Sequence, residues 1–511
     1  MPQAALHAHV DDSVRTTLRS PRLLRREVLA GLVVALALIP EAISFSILAG
    51  VDPQVGLFAA FTMAVSIAFL GGRPAMITGA TGAIALVIAP VAKEYGLDYL
   101  LATVILGGLM QIAFGLAGTA QLMRLLPRSV MVGFVNALAI LIFLAQLPHL
   151  GVDLHGGLHL GGVPFVVYPM VAAGIAIMVL LPKITTAVPA PLVAIVLLTV
   201  LVLVGGMSIP NVSDEGELPR SLPSLLIPDV PFTFETLQII APYAFAMAMV
   251  GLLESLMTAK LVDDVTDSHS NKHRESWGQG AANVITGFFG GMGGCAMIGQ
   301  TMINVKASGA RSRVSTFLAG VFLLVLVVGV GDLVGKIPMA ALVAVMIIVA
   351  VGTFDWHSLA PATLRRLPKS ENLVMLTTVV FVVATHNLAI GVSAGVILAF
   401  MLFARRVYHL VGVHRELIEE TDGSAYARYT VTGELFFASS NDLYYQFEYA
   451  EDPERVVIDL SASHLWDAST IAALDGITTK YERKGKVVEI HGLNAASAHM
   501  HERLTGQLSS H

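Results

Sequence analysis

Long apolar runs, punctuated by glycine, proline and short basic loops, dominate the first 406 residues. They fall near 28–48, 54–70, 75–92, 99–121, 130–148, 163–181 and 189–207. A polar, proline-rich stretch, IPNVSDEGELPRSLPSLLIPDVP, interrupts them. Seven more follow near 238–259, 277–290, 297–308, 314–330, 338–352, 373–386 and 388–404. A bilayer core of about 30 Å needs about 20 apolar helical residues, so most of these runs read as membrane-spanning helices. The third run of each half, 71–90 and 290–309, is too short or too glycine-broken to span alone. Matched interruptions of this kind predict an inverted repeat with its substrate site near the midplane. Beyond Arg406 the pattern turns soluble. Strand-like AYARYTVTGELFF (425–437), RVVIDLS (455–461) and KVVEIHGL (486–493) alternate with helix-like SNDLYYQFEYA (440–450) and STIAALDGITTKYER (469–483), which predicts a small α/β domain. The expected organisation is an N-terminal segment 1–27, a first transmembrane repeat 28–207, an outer linker 208–237, a second repeat 238–406 and a soluble tail 407–511.

Composition agrees with that pattern. The chain is 55% hydrophobic and 13% charged, whereas charged residues make up about 25% of a soluble domain. This is a polytopic α-helical membrane protein with the lipid bilayer as its solvent, and no basic patch points to nucleic acid. With the N-terminus placed inside, 20 Lys and Arg of the membrane part lie on that side, from Arg15 to Arg406, and only Lys93, Arg220 and Lys336 lie opposite. Such an asymmetry orients the chain, puts both termini in the cytoplasm and requires an even number of crossings. MPQAALHAHVDDS has no apolar core or cleavage site, so no removable signal peptide is expected and the first helix directs insertion into the inner (plasma) membrane. The single cysteine, Cys295, excludes an internal disulfide and a thiolate cluster.

Candidate chemistry begins with two acids. Glu41 and Glu254 each sit inside an otherwise uncharged apolar run. A charge at mid-bilayer costs roughly 2.5–3.5 kcal/mol on insertion scales, so such acids mark substrate, ion or proton handling. Glu41 has no cation in its segment and suits uptake and release of a proton during transport. Glu254, followed by SLMTAKLVDD, is expected to be the secondary, structural acid. Irregular backbone at membrane depth is tolerated where it lines a cavity or is buried in protein. The breaks at Gly79-Ala80-Thr81-Gly82 and from Gly293 to Gly299 therefore predict two half-helices whose N-terminal amides converge on an anion. Thr81, Gln300 and Thr301 add hydrogen bonds, and Phe45, one turn after Glu41, an apolar wall; equally, Phe45 packs between helices. The expected substrate-binding set is thus Glu41, Phe45, Gly79, Ala80, Thr81, Gly299, Gln300 and Thr301, with Glu41 also coupling protons. His149, His155 and His159 sit in a glycine-rich outer loop without further ligands, and GFFGGMGG lacks the Gly-Lys-Ser/Thr of a nucleotide loop. No metal, cofactor or enzymatic activity is expected.

The stretches LIPEAISFSILAGVDPQVGLFAAF (38–61), GGRPAMITGATGAIALV (71–87) and the block from Leu252 to Gly320 strongly resemble the SulP sulfate-permease family of anion transporters. The tail resembles the STAS domain that family carries. The resemblance implies seven plus seven inverted transmembrane segments, divided into core and gate domains as in uracil/proton symporters, with the anion between segments three and ten and a homodimeric assembly. Gln300 stands where many members carry an anion-holding arginine. An acid at Glu41 resembles proton-coupled bacterial members. Ala468 stands where related tails carry a phosphorylated serine, which leaves Ser469 beside it. The function expected is proton symport, by alternating access, of a small anion: a dicarboxylate such as fumarate or succinate, or sulfate. An exchanger or uncoupled channel for chloride or bicarbonate, and a sensor signalling through the tail, are the rival expectations.

Overall fold

In the computed structural model, residues 14–118, 127–153, 157–158, 163–185, 189–385, 387–408, 411–419, 424–437, 439 and 443–505 are described. His155 and His159 lie outside them. The chain forms two compact units, Met1–Val396 and Ile397–His511.

Apart from short helical turns and two paired two-residue strands, Val152–Asp153 and Gly157–Leu158, the first half runs α1 (Pro21–Ala49), α2 (Pro53–Leu70), β1 (Thr78–Gly79), α3 (Gly82–Tyr95), α4 (Leu97–Leu116), α5 (Arg128–Leu144), α6 (Val167–Ile184) and α7 (Ala190–Gly205). The second runs α8 (Phe234–Thr266), α9 (Lys272–Phe288), β2 (Cys295–Ala296), α10 (Ile298–Met302), which continues as a π turn to Ala307, then α11 (Arg313–Gly335), α12 (Met339–Thr353), α13 (Lys369–Thr385) and α14 (Leu388–Tyr408). Among the described residues, seven helices are long and apolar enough to cross a membrane. Helix ends follow local chemistry. Pro21 and Pro53 open α1 and α2, where a missing N–H costs nothing, and Gly50 closes α1 at φ +78°. Thr233, Asn271 and Ser312 accept first-turn amides of α8, α9 and α11.

Packing divides this unit into two groups of helices. α1–α4 pack with α8, α9 and α11, while α5–α7 pack with α12, and α5 also with α13. The first four segments of each half therefore join one group, the core, and most of the rest join the gate. The groups meet where α1 and α3 face α5, α7 and α12. Two buried acids hold the core's loops by accepting backbone amides. Glu275 takes the N–H groups of Gly72 and Arg73 at 2.7 and 3.0 Å, and Glu27 takes that of Arg311 at 2.8 Å. A buried acid near the start of a membrane helix can thus serve as a backbone acceptor, and Glu41 and Glu254 differ from these two in lying within apolar runs and facing a cavity.

The tail is a four-stranded sheet in the order β3 (Gly412–Glu419), β4 (Ala425–Leu435), β5 (Arg455–Leu465), β6 (Val487–His491), with β3–β4 antiparallel and the other pairs parallel. α15 (Ala468–Glu482) and α16 (Ala495–Leu504) complete it, α15 being capped by Asp467. One expectation fails here. Residues 444–450 of the expected helix 440–450 run as turns, because their backbone and rings are spent on a buried aromatic cluster. The Tyr429 hydroxyl accepts the Glu448 amide at 2.9 Å and donates to Asp452 at 2.7 Å, and Tyr481 and Arg415 donate to the same carboxylate. Strand β3 and helix α16 had no sequence expectation.

Candidate functional site

The two broken segments cross. β1 and β2 pair antiparallel, Thr78 opposite Ala296 and Gly79 opposite Cys295, so two short pieces of extended chain satisfy each other's backbone at membrane depth. Gly294 makes the crossing possible. A Cβ there would stand 1.9 Å from the Gly79 carbonyl oxygen. On either side of the crossing the chain turns into α3 and α10. Thr81 is the N-cap of α3, its hydroxyl accepting from Ile84 N at 3.4 Å, and the first amides of α3 have no carbonyl ahead of them.

Beside this crossing lies a cavity of about 420 Å³. Its core wall carries Glu41 and Phe45 of α1, Thr81 and Gly82, Glu254 and Met257 of α8, and Gly299 and Gln300. Its gate wall carries Phe134, Leu138 and Ile142 of α5 and Val349, Gly352 and Thr353 of α12. Among the described residues, this lining holds no lysine, arginine or histidine, and both carboxylic acids face it. The lining reaches the ends of α5 and α12 nearest the basic loops of Arg128 and Arg365. At the other end Phe45 and Ile142 close over Gly82, where a Cβ would stand 2.9 and 3.1 Å from them.

Each acid has one polar partner. Gln300 Nε2 donates to Glu41 Oε1 at 2.7 Å, linking α1 to α10, and Gln300 Oε1 is buried without a partner. Cys295 Sγ donates to Glu254 Oε2 at 2.9 Å and lies 3.1 Å from Thr81 Oγ1. The chain Thr81–Cys295–Glu254 therefore ties the N-cap of α3 to the second acid. Among the described residues no group of three His, Cys, Asp or Glu could hold a metal ion.

Of the eight expected binding residues, Glu41, Phe45, Thr81, Gly299 and Gln300 line the cavity, and Gly79, Ala80 and Thr301 lie behind it. Gly79 is spent on the strand crossing. The Thr301 hydroxyl accepts the Ile77 amide at 3.0 Å, which fixes the extended chain before β1. Glu254 faces the cavity from within α8, which continues to Thr266, seven residues past the expected run 238–259. The gate wall had no sequence expectation, for its residues are apolar ones in apolar helices. Its one signal is positional, α5 and α12 being the fifth segment of each half.

Residues 24–378 match the Sulfate permease family, and residues 418–506 match the STAS domain. The chain belongs to the sulfate permease family. YbaR of Bacillus subtilis (strain 168) is 51% identical over 474 residues, covering 93% of this chain and 95% of that one. The bicarbonate transporter BicA of Synechocystis sp. is 27% identical over 523 residues, covering 94% and 91%. Among solved structures, the transmembrane domain of a cyanobacterial BicA aligns with TM-score 0.64 at 28% identity, over 72% of this chain and 98% of that one. Murine Slc26a9, an anion transporter solved in the inward-facing state, aligns with TM-score 0.80 at 16% identity over 94% and 87%, which shows a shared fold. As a sulfate permease family member the protein is a multi-pass membrane anion transporter and not an enzyme, with a helical transmembrane part of the core-and-gate type and a C-terminal STAS domain.

Proposed function

We propose that this transporter carries a small anion, a dicarboxylate such as fumarate or succinate, or sulfate, in symport with protons by alternating access. One observation carries the reading: a cavity lined, among the described residues, by two carboxylic acids and no cation, at the starts of α3 and α10. An anion entering beside two ionised carboxylates would meet repulsion in a low-dielectric space. Protonation removes it, so anion and proton enter together. Gln300 suits this role better than the arginine of relatives. Its amide donates to an ionised Glu41 and, turned over, accepts from a protonated one, so it follows the acid through both states, whereas an arginine would pin Glu41 in its charged form.

The remaining assignments belong to the same proposal. Glu41, Phe45, Thr81, Gly299 and Gln300 contact the anion, Glu41 carries the proton, and Gly79, Ala80 and Thr301 support the contact surface from behind. The repeats span 28–207 and 238–406 in an inner (plasma) membrane, both termini are cytoplasmic as the basic loops require, and the protein works as a homodimer. The similarity to bicarbonate transporters supports bicarbonate as the competing substrate. Uptake of labelled sulfate, bicarbonate and succinate into proteoliposomes, with and without an imposed pH gradient, is the test. Accumulation driven by an acidic exterior supports symport. Uptake that ignores the gradient replaces it with exchange or a channel.

A further inference from the structure

A second cavity, of about 210 Å³, lies on the far side of the Phe45–Ile142 closure. It uses the same helices, displaced outward. Ser44, Ile47 and Leu48 come from α1, Gln146 and the imidazole of His149 from just beyond α5, Met339 and Leu342 from the start of α12, and Lys93 from the last turn of α3. Like the first cavity, it sits where core meets gate. Among the described residues, the Lys93 ammonium has no hydrogen-bond or ion-pair partner, and it is one of the three cations on the outer side against the 20 on the inner. Arg220 and Lys336 are the other two, and the same side carries Glu94, next to Lys93 in sequence, with Asp98, Asp214, Glu215 and Glu217. An anion approaching from outside meets a side where acids outnumber Lys and Arg, and inside the cavity it meets the Lys93 ammonium.

We infer that this cavity is the outer vestibule of the transporter, and that Lys93 gathers the small oxyanion there before the closure at Phe45 and Ile142 opens. This rests on the orientation and anion substrate proposed above. A cleft of one sign of charge between low-dielectric walls raises local substrate concentration and on-rate. The volume falls below the 300–1,000 Å³ usual for drug-sized ligands and suits a small anion with part of its hydration shell. A cation in the last turn of α3 also complements the helix dipole. That role would be met anywhere around the turn and does not call for the core–gate seam.

The test exploits the chain's single, buried cysteine, Cys295, which leaves a cysteine at position 93 as the accessible thiol. In right-side-out vesicles, uptake of labelled sulfate, bicarbonate and succinate is measured for the parent, Lys93→Gln and Lys93→Cys. For whichever probe the parent accumulates, removing the charge raises the outer KM roughly three- to tenfold with kcat retained, and the difference shrinks at high salt. An impermeant ammonium-bearing thiol reagent returns Lys93→Cys toward the parent, and a sulfonate-bearing one worsens it. KM for efflux from the inner side stays unchanged. An active parent with an unchanged outer KM in Lys93→Gln, or equal effects of the two reagents, overturns the vestibule alone. A loss confined to kcat makes Lys93 a structural residue and also overturns it. A parent that moves none of the three probes overturns the substrate reading and the vestibule with it.

Discussion

Glu41 and Glu27 stand fourteen residues apart (41 minus 27) on one helix and do opposite work. Glu27 spends its oxygens on the Arg311 and Ser312 amides, whereas Glu41 shares one hydrogen bond with Gln300 and turns toward a cavity. Glu41→Gln keeps size and hydrogen bonding but removes the exchangeable proton. Accumulation driven by a pH gradient is expected to fall to background while counterflow of labelled substrate persists, and undiminished concentrative uptake would assign coupling to another group. Gly299→Leu tests the cavity itself. Open space lies where the Cβ would go, so the variant should fold with a melting temperature near the parent's and lose at least tenfold in substrate affinity. Parent-like binding in detergent would place the anion elsewhere. At this scale the sequence was legible where a residue broke the apolar pattern, as Glu41, Thr81, Gly299 and Gln300 do. Thr301 lies off the lining with its hydroxyl on the Ile77 amide, because a hydroxyl beside a helix break serves a backbone amide as readily as a ligand. Phe134 and Val349 were invisible, being apolar residues whose exposure to a cavity is decided by a neighbouring helix.

The paired strands β1 and β2 are the element on which the site depends. Gly294→Ala would drive a methyl group into the Gly79 carbonyl. Overpacking of this kind costs about 1–3 kcal/mol where neighbours can yield, and a backbone carbonyl yields little. Lower yield of monodisperse protein and weakened anion binding are expected together, and an unaltered melting temperature would contradict the close crossing. Most membrane segments were legible to within a few residues because glycine and proline mark their ends. The tail was less so, since in SNDLYYQFEYA the tyrosines and Phe447 are claimed by a core built from β4 and α15, a tertiary demand that local periodicity does not record. In that tail the Arg428 ion pair and the Ser461 amide hold the Asp459 carboxyl down to about 2, below its ordinary value of 3.8. A lowered carboxylate pKa gives stability that is present above about pH 4 and lost as pH falls toward 2. Asp459→Asn should therefore flatten the acid limb of the tail's unfolding curve in that window, by a small amount because the Arg428 side chain is nearly half exposed to solvent. An acid limb identical to the parent's would deny the pair any role in stability.

Across the whole molecule, the compositional break near Arg406 separates two independent cores, one of apolar helices and one of β4, β5 and α15. A chain ending after Arg406 should remain a folded, substrate-binding membrane protein with reduced or unregulated transport. Stable protein with no measurable affinity would give the tail a part in binding. At this scale the sequence carries an orientation signal, because charge asymmetry is a sum over many loops. The core–gate division was legible only through the family resemblance, since local pattern does not record which helices touch. The strand crossing also imposes an order on biosynthesis. Thr78 is made 218 residues before Ala296 (296 minus 78), the residue it pairs with. At ~5–20 residues per second, the first half waits roughly 10–45 s in or beside the membrane with its extended segment unpaired. Backbone left unsatisfied in hydrocarbon is costly, so the nascent half must be shielded by the insertion machinery or hold β1 near the surface until β2 arrives. Neither half of the gene, expressed alone, can own the binding site, and the two expressed together as separate chains can regain it only by finding each other at that one crossing.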